Sequence, residues 1–282
     1  MTHTRFSLLL PVYAGDSAAH FAKAFTSSVT DQARRPDDVV IVQDGPISDD
    51  LAAAIETVRS TSPVAVNFVR LPQNVGLARA LTTGLEHCQH DVVARMDADD
   101  ISLPSRFERQ MVWIDDGYDL VGTGMFEFDE SGRVLGRREP PTDEAEIKSS
   151  SRFKDPFNHP TVVYRRTAVA RAGGYRDLAL MEDYWLFARM ILSGARVANI
   201  GDPLLMYRVD SGAYGRRGGW VLFRSEMGLQ RRLLKDGFVT RAQFLRNILI
   251  RGSYRFVPVR IRRAAYRKII ARNYTDVIKD EG

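Results

Sequence analysis

Two aspartates separated by one residue follow an apolar segment near position 97. Asp97 and Asp99 come directly after Val92–Met96, with Ala98 between them and Asp100 next. A turn at the end of a strand lets both carboxylates reach one ligand. Hard divalent cations such as Mg²⁺ and Mn²⁺ prefer carboxylate oxygens and bridge readily to diphosphate oxygens. The spacing therefore favours a site for a cation and a diphosphate, and a solvated turn with capping aspartates is the alternative.

Polar residues also follow other apolar segments of the first hundred residues. Asp44 comes two residues after one such segment, and Asn74 five residues after the next. The segments have the short, continuous apolar character of strands buried in a parallel sheet. They are Phe6–Val12, Val39–Val42, Ala65–Val69 and Val92–Met96. Because ligands bind where the carboxyl ends of parallel strands meet, we expect Asp44, Asn74, Asp97 and Asp99 to share one site.

Three helical patterns separate these segments. Each spaces its apolar residues by three or four positions, which puts them on one helix face. The faces consist of Phe21, Phe25 and Val29; of Leu51, Ile55 and Val58; and of Leu77, Leu81, Leu85 and Cys88. The alternation predicts an α/β protein with right-handed βαβ units and a mostly parallel sheet. A glycine-rich phosphate loop follows none of the strands, which argues against a dinucleotide oxidoreductase or a nucleoside triphosphatase.

The pattern is mixed after residue 104. Two strands are predicted to pair around the turn 129–132, and a polar stretch, 139–151, separates them from a further strand and a helix. These elements are Leu120–Phe128, Arg133–Arg137, Thr161–Tyr164 and Glu182–Leu192. From Gly218 onward the pattern is helical and basic, with interruptions near Gly237 and at Pro258.

The composition is that of a globular protein of 282 residues, 44% hydrophobic and 27% charged. The single cysteine, Cys88, excludes an internal disulfide and suits a reducing cytoplasm, and its helical neighbours favour a buried structural thiol. We find neither a secretory signal pattern nor an apolar run near the ~18 residues that a membrane span needs. The sequence therefore predicts a protein that stays on the cytoplasmic side.

Charge is distributed unevenly along the chain. Residues 231–272 contain 13 of the 40 basic residues and one of the 35 acidic ones, so the remainder has 27 basic and 34 acidic residues. A basic segment attached to an acidic body indicates a negatively charged partner. The residues by themselves leave three interpretations open, namely an anionic membrane surface, a nucleic acid, and helices that pack with a charged outer face.

Several motifs together resemble the family 2 glycosyltransferases of the GT-A fold, especially bacterial enzymes of capsule and exopolysaccharide assembly. The matching motifs are Pro11-Val12-Tyr13, Gln43-Asp44-Gly45, Asn74 to Ala80, Asp97-Ala98-Asp99-Asp100, Gly173 to Arg176, Glu182-Asp183-Tyr184, Tyr207-Arg208 and Arg216 to Gly219. The resemblance covers roughly residues 5–235 and implies a Rossmann-like, mostly parallel sheet flanked by helices. We expect a catalytic domain at 1–220, with a nucleotide-binding half at 1–100 and an acceptor half at 101–220, and a basic helical C-terminal segment at 221–282.

The resemblance implies a nucleotide-sugar donor, with a UDP-sugar expected, and assigns its contacts. Asp44 would bind the base, flanked by Pro11 and Tyr13, and Asp97 would contact the ribose. Asp99 would ligate Mn²⁺ or Mg²⁺, a cation that stabilises the charge developing on the departing diphosphate. The remaining donor contacts are expected from Asn74, from Arg79 near the diphosphate, and from Arg216 and Arg217, which a closing glycine-rich loop would bring to the diphosphate.

The same resemblance implies an inverting transfer to the hydroxyl of a saccharide acceptor. Such a transfer needs one carboxylate to accept the hydroxyl proton, and the second acid of Glu182-Asp183 corresponds to that base. Glu182 would orient Asp183 or bind the acceptor, and His159 would lie beside the acceptor. For Glu182 and Asp183, acids favoured in a first helical turn are the structural alternative. A metal-binding role for Asp210 stays open.

The family relationship also favours a membrane partner for the C-terminal segment over a nucleic acid. Related enzymes extend sugars on a lipid-linked diphosphate carrier, which implies a peripheral protein on the inner face of the membrane. Other functions compete with this interpretation. A nucleotidyltransferase acting on sugar phosphates would want a glycine-rich loop after its first strand, and an aspartyl phosphatase would carry its acid pair there. A non-catalytic carbohydrate-binding protein would need neither Asp99 nor Asp183.

Overall fold

A nine-stranded sheet forms the centre of the protein in the computed structural model, which describes residues 4–209 and 220–252. The strands are β1 (Phe6–Tyr13), β2 (Asp38–Asp44), β3 (Ala65–Leu71), β4 (Val92–Arg95), β5 (Ile101–Ser102), β6 (Leu120–Phe128), β7 (Val134–Arg138), β8 (Val163–Arg165) and β9 (Val197–Arg208). Their order is β3-β2-β1-β4-β8-β6-β9-β5, and β7 pairs with β6. The first four strands are mutually parallel, as is the pair β6–β9, and the other pairs are antiparallel.

Helices cover both faces of the sheet. They are α1 (Ala18–Val29), α2 (Asp49–Thr61), α3 (Leu77–His87), α4 (Arg106–Asp115), α5 (Glu144–Ser150), α6 (Arg166–Arg171), α7 (Glu182–Leu192), α8 (Trp220–Lys235) and α9 (Arg241–Asn247). Leu8 and Leu10 of β1 belong to the apolar cluster under α1, α2 and α4, whereas Leu9 belongs to the one under α3, α6 and α7. Successive strand residues point to opposite faces, so a strand buried on both sides needs an unbroken apolar run.

The predicted α/β class is confirmed, and the predicted strands and helices of the first hundred residues agree with the structure within two residues at each strand end. Cys88 is buried, as expected. Strand β9 was not predicted, because Gly201-Asp202-Pro203 interrupts its apolar pattern like a turn. In the structure the chain stays in the sheet there, and the register with β6 shifts between Thr123 and Gly124.

The helices after residue 219 pack against the rest of the protein. Leu222, Leu229 and Leu233 of α8 are buried in a third apolar cluster with Tyr184 and Trp185 of α7. None of the helices in the described ranges has the length and apolar character needed to cross a bilayer. Residues 253–282, which carry most of the predicted basic segment, lie outside the described residues.

Candidate active site

The carboxyl ends of β1, β2 and β4 lie side by side, as the sequence predicts. Tyr13 at the end of β1 is opposite Asp44 at the end of β2. The buried Asp44 carboxylate accepts hydrogen bonds from the backbone of the next loop, from Val75 N at 2.7 Å and from Gly76 N at 3.0 Å. The Asn74 side-chain amide donates to the Asp44 backbone carbonyl at 3.3 Å. Asp44 therefore fixes the loop that leads into α3.

The close approach of that loop to β2 requires glycine. Gly45 has φ +84°, and a Cβ there would lie 2.5 Å from the Asn74 backbone nitrogen. A side chain would push the 74–76 loop away from the strand end. Gly45 thus allows Asp44 and Asn74 to face the same space.

Three carboxylates cluster where β4 ends. Asp97, Asp99 and Asp100 each offer an oxygen within 4.8 Å of the others. Burial, followed by the charge of Asp97, raises the Asp99 pKa to about 6. Asp100 is fully buried; its Oδ1 accepts from Arg208 N at 2.9 Å, and its Oδ2 has no hydrogen-bond partner among the described residues. Three close carboxylates, one of them buried with an unsatisfied oxygen, fit a hard divalent cation, which would satisfy that oxygen and offset the repulsion between the charges.

Two arginines support this cluster, and neither was among the predicted contacts. Arg95 is 2% exposed and pairs with Asp97, Nη2 to Oδ1, at 2.5 Å, while its Nε and Nη1 have no partner among the described residues. Arg208 at the end of β9 donates from Nε to the Asp99 carbonyl at 2.9 Å. Both bring positive charge to the acidic turn from inside the fold. Their function depends on strands far apart in sequence, and the apolar pattern around Arg95 gave no signal for it.

Asp16 is a further acidic residue of this site that the sequence analysis did not include. It follows the β1 end and accepts a hydrogen bond from Tyr13 N at 2.9 Å. Burial is the main cause that raises its pKa, to about 7, and the charges of Asp99 and Asp97 add to it. The signal that identified Asp44, a carboxylate directly after a buried strand, applies to Asp16 as well.

Glu182 and Asp183 begin α7 on the other side of the same region. Asp183 Oδ1 accepts a hydrogen bond from Tyr184 N at 2.7 Å, and its Oδ2 lies 3.7 Å from Nδ1 of His159. Burial raises the pKa of Asp183 above that of a free aspartate, and burial followed by the charge of Asp183 raises that of Glu182 to about 7. Both acids lie in the first turn of the helix, where negative charge is favourable, and both also line a cleft.

The cleft has a volume of about 640 Å³ and joins the two acidic groups. Arg95 and Asp97 line it from the strand ends, and His159, Glu182 and Asp183 line it from the opposite side. A molecule in the cleft can therefore contact the proposed cation site and the proposed base together. A cation site and a carboxylate that face each other across one cleft suit a reaction in which one group leaves and another attacks.

The remaining predicted site residues are placed as follows. Pro11 is buried within β1, opposite Val42, and Tyr13 is half exposed. Arg79 on α3 pairs with Asp177, with both its Nε and Nη2 at 2.8 Å from Oδ2, and is exposed. Reaching a diphosphate would require Arg79 to leave Asp177. The predicted loop contacts Arg216 and Arg217 lie outside the described residues, as does Asp210.

Solved structures of nucleotide-sugar-binding proteins share this fold. A mannosyltransferase from Pyrobaculum calidifontis, solved in complex with GDP-Man and Mn²⁺, aligns over 89% of this chain and 70% of its own, with a TM-score of 0.65 and 17% identity. Staphylococcus aureus TarS, solved with UDP-GlcNAc, aligns over 82% and 67%, with a TM-score of 0.64 and 17% identity. At this identity the likeness concerns the fold, which is GT-A.

Sequence relatives extend over nearly the whole chain. An amylovoran biosynthesis glycosyltransferase of Erwinia amylovora is 37% identical over 93% of this chain and 98% of its own. An Escherichia coli enzyme named UDP-Gal:alpha-D-GlcNAc-diphosphoundecaprenol beta-1,3-galactosyltransferase is 30% identical over 95% and 97%. Residues 7–174 match the family model for glycosyl transferase family 2. The match includes the strand ends and all three aspartates of the acidic turn, and the chain therefore belongs to glycosyl transferase family 2.

Proposed function

We propose that this glycosyltransferase moves a hexose from a UDP-sugar to a hydroxyl of a lipid-linked saccharide, with inversion at the anomeric carbon. The observation that carries the proposal is that one cleft has Asp97 on one side and Asp183 on the other. The Escherichia coli relative is named for a UDP-sugar donor and a diphosphoundecaprenol-linked acceptor, which supports both choices. Membership of the family and the name of the Erwinia relative support a place in cell-surface polysaccharide assembly.

In this proposal the half at 1–100 binds the donor. Asp44 accepts a hydrogen bond from the uracil, with Pro11 and Tyr13 on either side, and Asp97 contacts the ribose. Each carboxylate oxygen has two lone pairs, so Asp44 can bind the base while holding Val75 and Gly76. Asn74 in the loop before α3 and Arg79 on α3, once it leaves Asp177, close the nucleotide pocket. Arg216 and Arg217 bind the diphosphate.

Asp99 would hold Mn²⁺ or Mg²⁺, with Asp97 and Asp100 close enough to contribute. A divalent cation there would stabilise negative charge on the leaving diphosphate. Arg95 orients the Asp97 carboxylate through their ion pair, and Arg208 holds the backbone of the turn through its hydrogen bond to the Asp99 carbonyl. The cluster is thus preorganised by residues of β4 and β9, which reduces the reorganisation needed during the reaction.

In the half at 101–220, Asp183 acts as the base. The acceptor hydroxyl gives its proton to the Asp183 carboxylate as its oxygen bonds to the anomeric carbon, and the bond from that carbon to the diphosphate breaks on the opposite face. Burial raises the Asp183 pKa, which makes the carboxylate a stronger base than a solvated aspartate. Glu182 binds the acceptor or orients Asp183.

Within the C-terminal segment 221–282, the residues after 252 are proposed to contact an anionic membrane surface, where a lipid-linked acceptor resides. Residues 253–282 contain eight basic and three acidic residues, interspersed with apolar ones. Each basic residue near anionic headgroups contributes about 1 kcal/mol. A position on the inner face of the membrane would bring the cleft close to its acceptor.

The test is a transfer assay on the purified protein with UDP-hexoses, Mn²⁺ and a GlcNAc-diphosphate lipid as the acceptor probe. We expect acceptor-dependent release of UDP, and expect Asp99→Asn to abolish it together with Mn²⁺-dependent UDP binding. Asp202→Asn is the matched control, because Asp202 is exposed, pairs with Arg109 and is not among the residues that line the cleft. Unchanged Mn²⁺-dependent UDP binding in Asp99→Asn would remove the metal assignment, and preference for a GDP-sugar would remove the choice of donor.

A further inference from the structure

His159 contacts the proposed base from inside the protein. It begins the short turn His159–Thr161 that precedes β8 and is 8% exposed. Its Nδ1 lies 3.7 Å from Oδ2 of Asp183. Its ring packs edge-on against Phe187, which lies one turn farther along α7, with ring centroids 5.8 Å apart. The imidazole is therefore fixed relative to the helix that carries Asp183.

A line of buried polar groups continues behind His159. Nε2 lies 2.9 Å from the Tyr175 hydroxyl, and that hydroxyl oxygen lies 3.4 Å from the Tyr164 hydroxyl oxygen. Tyr175 is 7% exposed and Tyr164 is fully buried. Hydroxyl groups can both donate and accept, so the line can adjust to either tautomer of the imidazole. The line runs from Tyr164 through Tyr175 and His159 to Asp183, which lines the cleft.

His159 is neutral in this environment and has one ring N–H. Burial, followed by the positive charge of Arg95, lowers its pKa well below that of a free histidine. A lone pair on Nδ1 facing the Asp183 carboxylate would repel it, so the proton belongs on Nδ1. Nε2 then accepts from the Tyr175 hydroxyl, which is compatible with this tautomer and stabilises it.

We propose that His159 is a positioning residue for Asp183, whose carboxylate it holds through Nδ1–H while Tyr184 N holds the other oxygen. The inference rests on the proposed role of Asp183 as base, and it replaces the expected contact between His159 and the acceptor. The separation of 3.7 Å is longer than a hydrogen bond, and we expect it to shorten when substrate is bound, as catalytic hydrogen bonds often do. Holding both oxygens leaves the carboxylate one rotamer, with a free lone pair for the acceptor proton.

Two amide substitutions separate this role from simple packing. The side-chain nitrogen of Asn occupies the place of Nδ1, whereas that of Gln occupies the place of Nε2. His159→Asn therefore keeps a donor toward Asp183, and His159→Gln keeps only a partner for Tyr175. We expect His159→Gln to lower kcat on the order of 10²-fold, as for a misplaced catalytic group, with the donor KM unchanged. His159→Asn should retain most of kcat.

A purely structural role would give the reverse order, because Gln is closer to His in size and preserves the contact with Tyr175. Equal or higher kcat for His159→Gln than for His159→Asn would overturn the proposal. If either variant fails to fold, Tyr175→Phe removes one hydroxyl and relaxes the tautomer. It should lower kcat without changing the donor KM, and a wild-type kcat would overturn the proposal.

Asp183→Asn, measured in parallel, distinguishes failure of the positioning role of His159 from failure of the proposed role of Asp183 as base. Substantial transfer by Asp183→Asn would show that Asp183 is not the base, and the proposed mechanism would fail. Loss of transfer in Asp183→Asn together with full kcat in His159→Gln would leave the base assigned and refute only the positioning role. UDP binding by thermal shift, expected to be the same in all variants, reports that the donor half is intact.

Discussion

The Asp44 carboxylate is shared between the protein backbone and the proposed nucleotide. Its two oxygens hold Val75 N and Gly76 N, so it organises the loop before any ligand binds. No local sequence pattern indicates this structural role, since the two amides lie more than thirty residues away. Loop geometry and base recognition therefore depend on the same side chain.

We expect Asp44→Ala to weaken UDP binding by about tenfold or more. A hydrogen bond to a charged group contributes ~1.5–3 kcal/mol, and ~1.4 kcal/mol is a factor of ten. The melting temperature without nucleotide should fall too, because two backbone amides lose their acceptor. Calorimetric titration with UDP and a thermal scan measure the two effects separately. A lower melting temperature with unchanged UDP affinity would leave Asp44 only its structural role.

The acid limb of the pH–rate profile should reflect Asp183. The base must be ionised, and burial raises its pKa above the free-aspartate value of 3.8. As the pH falls, Asp183 thus takes up its proton earlier than a solvated aspartate, and kcat/KM should decline while the pH is still above 3.8. Glu182→Gln should keep this limb, since Glu182 is not the base. A rate that stays level down to pH 3.8 would contradict the assignment of Asp183 as the base. Because protonation of Asp99 would weaken Mn²⁺-dependent UDP binding, measuring UDP binding over the same pH range distinguishes titration of Asp99 from titration of Asp183.

At the scale of elements, helix α3 is packed against the sheet without room for a side chain at position 84. A Cβ on Gly84 would overlap Leu9 Cδ1 of β1 and lie 2.9 Å from Val42 Cγ2 of β2. Both neighbours are fully buried and cannot move aside. The close packing sets the height of α3 over the strand ends, and with it the position of the loop that Asp44 holds.

We expect Gly84→Ala to destabilise the protein. Overpacking costs about 1–3 kcal/mol, which exceeds the gain of roughly 1 kcal/mol from placing Ala in a helix. Gly228→Ala in α8 is the matched control, because its Cβ would meet the flexible end of Arg232 and a methyl of Leu178 at 3.1 and 3.2 Å. Thermal unfolding of both variants tests this. A Gly84→Ala protein as stable as the Gly228→Ala protein would mean that α3 can shift away from the sheet.

At the scale of the whole molecule, part of the basic C-terminal segment belongs to the core. Arg251 makes a two-nitrogen ion pair with Glu226 of α8, at 2.7 and 2.9 Å, and Glu226 is buried. Arg251 also donates to the Phe153 carbonyl at 2.9 Å. Arg251 is therefore held inside the protein by an acid that lies 25 residues earlier in the chain, and it does not face lipid headgroups. Membrane contact is left to residues after 252.

Two truncations test that division. Ending the chain after Gly252 should preserve folding and transfer to a soluble acceptor, but should release the protein from anionic vesicles, as should high salt. Ending it after Thr240 also removes α9 and Arg251, and breaking the buried ion pair between Arg251 and Glu226 costs about 3–5 kcal/mol. Vesicle sedimentation and thermal unfolding measure the two outcomes. Full-length protein that never binds anionic vesicles would refute the membrane role.

The sequence by itself determined the α/β class, the first four strands and the acidic residues at their carboxyl ends. Those features depend on local periodicity and on residues directly following a strand, which are visible in a single chain segment. Only the tertiary structure decided which side chains meet. Arg95 beneath Asp97, Arg208 at the acidic turn and His159 behind Asp183 come from β4, β9 and the turn before β8. Their contacts join positions far apart in sequence, which no periodicity encodes, because strand order and register bring them together only in the folded sheet.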